Sequence, residues 1–398
     1  MNDTLPVIAI EPFAIHIADA VLADLRRRLA EARFPDALSG GWEDGAALPE
    51  MRELVAHWRE GFSWRKQEEE LNRLPQFRAA IDGETVHFVH VRGRGPRPMP
   101  LVVTHGWPGS FVEMRKLIPL LADPGAHGGD PADAFDVVVP SLPGYGFSGR
   151  PSSPGMNAFR IADLWARLMT ALGYARFSAQ GGDFGASVAT GLALEHRDRL
   201  TGIHLNYVPG SYAPDLSSGP PISPEEQAFL ADRDRWVDEE GGYQHEQRTR
   251  PQTLAYALND SPAGLAAWIV EKFRSWSDCG GDWRTRFTAE ELLTNVTIYW
   301  ATGTIGSSMR LYREMARRPV RFAAGQRVRT PTAVARFAKE EPMPPRSWVE
   351  RGYDVVRWTE FDRGGHFAAM EEPELLAQDV RAFFRPLREN PRPGGDRE

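Results

Sequence analysis

From Glu84 to Leu205 short β-branched, apolar runs alternate with segments of helical spacing, and no other feature constrains the fold as much. The runs cover 85–91, 101–104, 135–139, 177–180 and 203–205. Between them, the stretch 111–121 carries apolar residues at 111, 114, 117, 118 and 121, and 158–172 forms a second helical pattern. Strand-helix-strand repetition predicts an α/β fold with a mostly parallel sheet covered by helices. Ser110, with Glu113 three residues on, reads as a capping box that opens the first of these helices.

The alternation is interrupted. Residues 1–80 read as mostly helical and loop-rich, with Leu22, Leu25 and Leu29 at helical spacing and Trp58, Phe62 and Trp64 after a second helical stretch. At 213–225 Pro214, Ser217, Ser218, Gly219, Pro220 and Pro221 break the pattern. An aromatic-rich helical stretch follows, then strands at 330–335 and 355–361 and a closing helix at 373–384. The expected organisation is an N-terminal domain (1–80), a first core segment (81–212), a helical lid (213–320), a second core segment (321–387) and a tail (388–398) rich in Pro, Gly and charge.

Composition narrows the function classes. A net charge of −7 argues against a nucleic-acid partner, because tracking phosphates needs an excess of Lys and Arg. The lone Cys279 excludes an internal disulfide and lies in a polar turn with no nucleophile motif. No apolar run reaches membrane-spanning length, and Asp3 and Glu11 depart from a signal pattern, so a soluble, cytoplasmic protein is expected. His87 and His90 lie three apart on one expected strand, facing opposite ways, and cannot easily share a metal ion.

Three segments carry the chemistry. Gln180-Gly181-Gly182-Asp183-Phe184-Gly185 follows a strand and opens a helical run, the pattern of a nucleophile elbow with Asp183 at its tip. His105-Gly106-Trp107-Pro108-Gly109-Ser110 follows the strand at 101–104. A loop there supplies one oxyanion amide and the residue after the nucleophile the other, which nominates the amides of Trp107 and Phe184. Gly364-Gly365-His366-Phe367 places a His late in the chain, on a loop, as the order nucleophile, acid, base requires. The orienting acid is open among Glu340, Glu341, Asp354 and Asp362. Glu340 and Glu341 are best placed, just past a strand end.

Together these residues resemble the microsomal-type epoxide hydrolase family, whose members have an N-terminal epoxide-hydrolase domain. The resemblance runs from Ile10-Glu11-Pro12-Phe13 and Phe62-Ser63-Trp64-Arg65, through Val86-His87-Phe88-Val89-His90 and 105–110, to Pro140-Ser141-Leu142-Pro143-Gly144-Tyr145-Gly146-Phe147-Ser148, 180–185 and Gly364-Gly365-His366-Phe367-Ala368-Ala369. It implies an α/β-hydrolase fold with a helical lid and an N-terminal helical and meander domain. It implies Asp183 as nucleophile and His366 as base. It selects Glu340 as the acid, since the family acid lies eight residues before the Trp of a Pro-x-x-Trp segment, here Pro345-Arg346-Ser347-Trp348. Tyr243 and Tyr312 take the place of the two lid tyrosines that hold the epoxide oxygen. Two departures stand out: Phe184 replaces a common Trp, and the membrane anchor of animal members is absent, as in microbial ones.

The implied reaction opens an epoxide to a vicinal diol through an Asp alkyl-enzyme ester, with a small-molecule epoxide and water as partners. No metal or organic cofactor is needed, and neither nucleic acid nor membrane is expected; homodimerisation is open. The alternatives are a haloalkane-type dehalogenase, which would need halide-binding donors in place of the tyrosines, and a non-catalytic hydrolase-fold binding protein. Lid aromatics (Trp268, Phe273, Trp276, Trp283, Phe287, Trp300) suit a bulky apolar or aryl epoxide. The Arg-rich, Pro-rich composition suggests a GC-rich bacterium, where biosynthetic and detoxifying roles are both open.

Overall fold

The computed structural model describes residues 8–217 and 219–389. Asp3, Ser218 and the expected tail from residue 390 onward lie outside the described residues. Nine strands form one sheet: β1 (Ile10–Phe13), β2 (Gln76–Ile81), β3 (Glu84–Val91), β4 (Met99–Thr104), β5 (Phe135–Pro140), β6 (Phe177–Gly181), β7 (Leu200–Leu205), β8 (Val328–Arg336) and β9 (Tyr353–Glu360). Their order is β1-β2-β3-β5-β4-β6-β7-β8-β9. Every neighbouring pair from β5 to β9 is parallel, while β1, β2 and β3 run antiparallel and β3 pairs antiparallel with β5. Strands β5 and β6 are buried along their whole length, as parallel strands covered on both faces must be.

Residues 1–80 contribute more sheet than their helical spacing suggests. Strands β1 and β2 extend the main sheet, and β2 crosses the boundary drawn at residue 80. The signal was Asp82-Gly83, a two-residue turn with φ of 52° and 81° that joins β2 to β3 as a hairpin. The same region supplies helices α1 (Asp19–Ala30), α2 (Leu48–Glu60) and α3 (Trp64–Asn72). In the Phe62-Ser63-Trp64-Arg65 segment, Ser63 caps α3. The buried Glu68 accepts hydrogen bonds from the Ile17 amide at 2.8 Å, the Trp64 indole at 2.8 Å and the Arg65 guanidinium at 2.5 Å.

The helix expected over 111–121 is split into a 3₁₀ turn at Phe111–Arg115 and the short α4 (Leu117–Ala122). Pro119 has no N–H to bond back one turn and is tolerated only in the first turn, so the α-helix starts again at 117. Ser110 caps the 3₁₀ turn through Val112 at 3.4 Å, not through residue 113, so the expected capping box is not the one formed. Helices α5 (Ala158–Ala171) and α6 (Asp183–Glu195) pack on each other against the sheet.

The lid comprises α7 (Pro224–Glu240), α8 (Gly242–Thr249), α9 (Pro251–Leu258), α10 (Pro262–Ser275), α11 (Ala289–Thr302) and α12 (Ile305–Arg317). After β8, α13 (Arg346–Glu350) leads to β9, and α14 (Ala368–Glu371) precedes α15 (Pro373–Glu389), which packs against α4. Helix α15 runs into the expected tail, because Arg388 donates to the Asp133 carbonyl at 2.8 Å and lies over the Phe135 ring. The N-terminal helices brace the lid: Trp58 donates to Thr297 at 3.0 Å, and Glu50 receives Trp283 at 3.2 Å and Arg284 at 2.9 Å. Among the described residues no helix is long and apolar enough to cross a membrane.

Candidate active site

Strand β6 ends at Gly181 and α6 begins at Asp183, so the chain reverses within one residue. Asp183 sits there at φ +47°. A left-handed conformation costs a residue with a Cβ roughly 1–2 kcal/mol, and the neighbouring glycines allow it to persist. A Cβ at Gly181 would collide with the Gly185 backbone, one at Gly185 with the Thr104 carbonyl, and one at Gly106 with the Asp183 side chain. The elbow and the 104–106 segment thus close around a single, largely buried carboxylate.

That carboxylate is held by the two amides nominated from sequence. Trp107 N donates to Asp183 Oδ1 at 2.9 Å, and the Phe184 amide also hydrogen-bonds it. Burial nonetheless raises the Asp183 pKa, with His366 and the two amides opposing the rise. His366 Nε2 lies 3.6 Å from Asp183 Oδ2, and His366 Nδ1 lies 3.0 and 3.1 Å from the two oxygens of Glu340. Glu340 is buried and Glu341 exposed, so Glu340 is the carboxylate brought to His366. Burial alone would lower the His366 pKa. The charge and hydrogen bond of Glu340, with Asp183 and Glu113, outweigh it and raise the value to about 9.

The loop of Trp107 is clamped from the lid. On α11, Asn295 Nδ2 donates to the Pro108 carbonyl at 2.8 Å and Tyr299 to the Gly109 carbonyl at 2.7 Å. The Pro140–Ser148 motif plays the matching part for α12. Ser307 Oγ donates to the Gly144 carbonyl at 2.6 Å, where Gly144 holds φ +84°, and Tyr145 donates to the Ser308 carbonyl at 3.2 Å. These contacts set α12 over the elbow.

Tyr243 on α8 and Tyr312 on α12 are thereby brought together, their rings edge-to-face at 5.8 Å. Tyr243 stacks on Trp107 at 5.4 Å, and Tyr312 packs edge-on to Phe184 at 4.7 Å. Burial pushes both phenols well above the usual tyrosine range, and the Asp183 charge adds to the rise. Trp276 completes the aromatic wall, 5.1 Å from both Tyr243 and His366, and its carbonyl accepts the His366 amide at 2.9 Å. A cavity of about 20 Å³ touches Asp183, His366, Glu113 and Gln180. That is room for roughly one water.

All seven residues singled out from sequence therefore lie in one site: Asp183, His366, Glu340, Tyr243, Tyr312 and the amides of Trp107 and Phe184. Glu113 was not among them. Its carboxyl lies where a side chain at Gly109 would stand, buried beside the cavity. Burial raises its pKa to about 8, opposed by His366 and reinforced by Asp183. In sequence it was indistinguishable from an ordinary third residue of a capped helix.

The chain matches two families, "Epoxide hydrolase N terminus" over residues 10–114 and "alpha/beta hydrolase fold" over residues 99–251. A Stigmatella aurantiaca protein provisionally named an epoxide hydrolase is 45% identical over 95% of this chain and 86% of its own length. Epoxide hydrolase 1 of Oryctolagus cuniculus is 38% identical over 94% and 88%. Among solved structures, the Aspergillus niger epoxide hydrolase superposes with a TM-score of 0.83 at 30% identity, covering 96% of this chain and 97% of that one.

Proposed function

The chain belongs to the epoxide hydrolase family and hydrolyses epoxides to vicinal diols, and from that premise we propose that Asp183 is its nucleophile, His366 its base, Glu340 the acid that orients the base, and Tyr243 and Tyr312 the donors to the epoxide oxygen. The observation that carries this assignment is the line Glu340–His366–Asp183, at 3.0 and 3.6 Å, beneath two phenol rings that meet edge-to-face.

Opening an epoxide develops alkoxide charge on a poor leaving group, so carboxylate attack needs hydrogen-bond donation at that oxygen. Asp183 Oδ1 is engaged by Trp107, which leaves Oδ2 to attack a ring carbon and form the alkyl-enzyme ester. The Asp183 oxygen–carbon bond forms as the ring carbon–oxygen bond breaks, and the phenols protonate the departing oxygen. Esterification removes one of the anions that keep the His366 pKa high. The imidazole then loses its proton more readily and becomes a competent base. It activates a water for attack on the ester carbonyl while the Trp107 and Phe184 amides hold the tetrahedral oxyanion. The aromatic wall of Trp107, Trp276, Phe184 and the two tyrosines supports a bulky apolar or aryl epoxide as substrate.

A single turnover with excess enzyme and styrene oxide in oxygen-18 water tests this reading. The expected result is an unlabelled first-turnover diol, with label retained in the peptide carrying Asp183. Label entering the first diol would mean direct attack by water and would end the Asp183 assignment.

A further inference from the structure

Among the described residues, Lys272 is the one buried lysine; Lys66, Lys116 and Lys339 are exposed. It lies on α10, with its side chain 7% exposed, and takes no part in the chemistry above. Its Nζ stands 4.7 Å from the ring centre of Tyr243 and 5.7 Å from that of Trp276. Glu271 pairs with the ammonium at 2.7 Å, and Glu240 lies 4.0 Å away. A buried charge is costly unless paired. This one is held by two carboxylates and rests against the phenol assigned as a proton donor.

The other groups acting on Tyr243 oppose donation. Burial comes first, followed by the Asp183 charge and Tyr207, with Glu240 adding to the rise and Tyr312 working the other way. A cation over an aromatic face is attracted to the ring's electron density. That density grows as the phenol hydrogen passes toward the epoxide oxygen. An ammonium fixed at this distance therefore stabilises the transition state of ring opening more than the ground state.

Resting on the assignment of Tyr243 as a donor, we propose that Lys272 is a positioning residue that acts through Tyr243, its ammonium making the phenol a better donor to the developing alkoxide and so accelerating ester formation but not ester hydrolysis. In that step the Asp183 oxygen–carbon bond forms, the ring carbon–oxygen bond breaks, and its electron pair stays on oxygen and takes the phenol hydrogen. Tyr243 regains a proton from solvent before the next turnover.

Stopped-flow tryptophan fluorescence with styrene oxide separates the two steps. Lys272→Met should slow ester formation on the order of tenfold, the scale of a desolvated cation–π contact, and leave ester hydrolysis within about twofold. Lys272→Arg should recover most of the loss. In a Tyr243→Phe background, Lys272→Met should add no further effect on ester formation, whereas a merely structural role would stay additive. Equal slowing of both steps, failure of Arg to restore the rate, or additivity with Tyr243→Phe would each overturn the proposal. If Tyr243→Phe alone leaves ester formation unchanged, the donor assignment fails first and takes this proposal with it. Should Lys272→Met not accumulate as folded protein, Lys272→Gln carries the same test: it keeps a polar group beside Glu271 and Glu240, removes the cation, and should slow ester formation alone to a similar extent. An unchanged rate would overturn the proposal.

Discussion

The hydroxyl of Tyr299 on lid helix α11 donates a 2.7 Å hydrogen bond to the carbonyl of Gly109, two residues beyond the Trp107 amide that binds Asp183. Lid helix α11 and the Trp107 loop are thus one hydrogen-bonded unit, since Asn295 on the same helix holds the Pro108 carbonyl. Tyr299→Phe keeps the ring and leaves a buried carbonyl without its donor, which costs about 1–3 kcal/mol. Chemical denaturation should show a loss of that size. Single-turnover kinetics should show ester hydrolysis slowed more than ester formation, because the oxyanion develops only in the second step. Equal slowing of both would detach this clamp from the oxyanion hole.

Asp183 holds its place in the elbow at a cost in stability. It sits at φ +47° and is a buried carboxyl whose pKa is raised by burial. Replacement by glycine relieves a left-handed strain of roughly 1–2 kcal/mol, against a smaller entropic cost of glycine in the unfolded chain. Asp183→Gly should therefore be inactive yet unfold at a higher temperature than the parent at neutral pH. A lower melting temperature would mean that the hydrogen bonds from Trp107 and Phe184 outweigh strain and desolvation together.

How much of this was legible in the sequence follows from where the information lay. The core strands were readable because β-branched runs such as Val137-Val138-Val139 have no competing helical pattern. The elbow was readable because glycines at 181, 182 and 185 leave few alternatives around Asp183. Strands β1 and β2 were missed because Glu11 and Pro12 interrupt the four-residue β1, Gln76 and Arg78 interrupt β2, and the strand character of β2 rests on pairing with β3. Glu113 and Lys272 were missed for another reason. Each is an ordinary helix residue locally, and only tertiary contact with Gly109 or Tyr243 places it at the site. The tyrosines were found through the family resemblance, since nothing in their local pattern separates a donor from a packing residue.

The pKa of His366 is coupled to the state of Asp183. With both carboxylates ionised it rises to about 9, Glu340 being the largest raising influence. In the ester the Asp183 charge is gone while Glu340 remains, so the value falls. Ester hydrolysis needs neutral His366, so its rate should climb with pH and level off at an apparent pKa below 9. Glu340→Gln removes the main raising charge and the tautomer lock. Its hydrolysis step should slow by roughly 10²–10⁴-fold, the scale seen when a base loses its orienting acid, with the pH midpoint moved lower still. Pre-steady-state rates between pH 6 and 10 provide the measurement, and an unmoved midpoint would exclude Glu340 as the controlling charge.

Glu113 makes the site's pH dependence visible in folding. Its pKa rises from 4.5 to about 8, burial being the largest cause. Below pH 4.5 the carboxyl is protonated in folded and unfolded chains alike and contributes no slope. Between 4.5 and 8 the unfolded chain releases the proton while the folded protein keeps it, so stability falls as pH rises through that window. Above 8 both states are ionised and the loss levels off. Glu113→Gln preserves the shape and removes the titration. Denaturant unfolding at pH 5, 7 and 9 should show a stability advantage of the variant that grows from pH 5 to pH 7 and changes little beyond pH 8. A constant difference across the three would mean that Glu113 is ionised in the folded protein and that His366 compensates its charge in full.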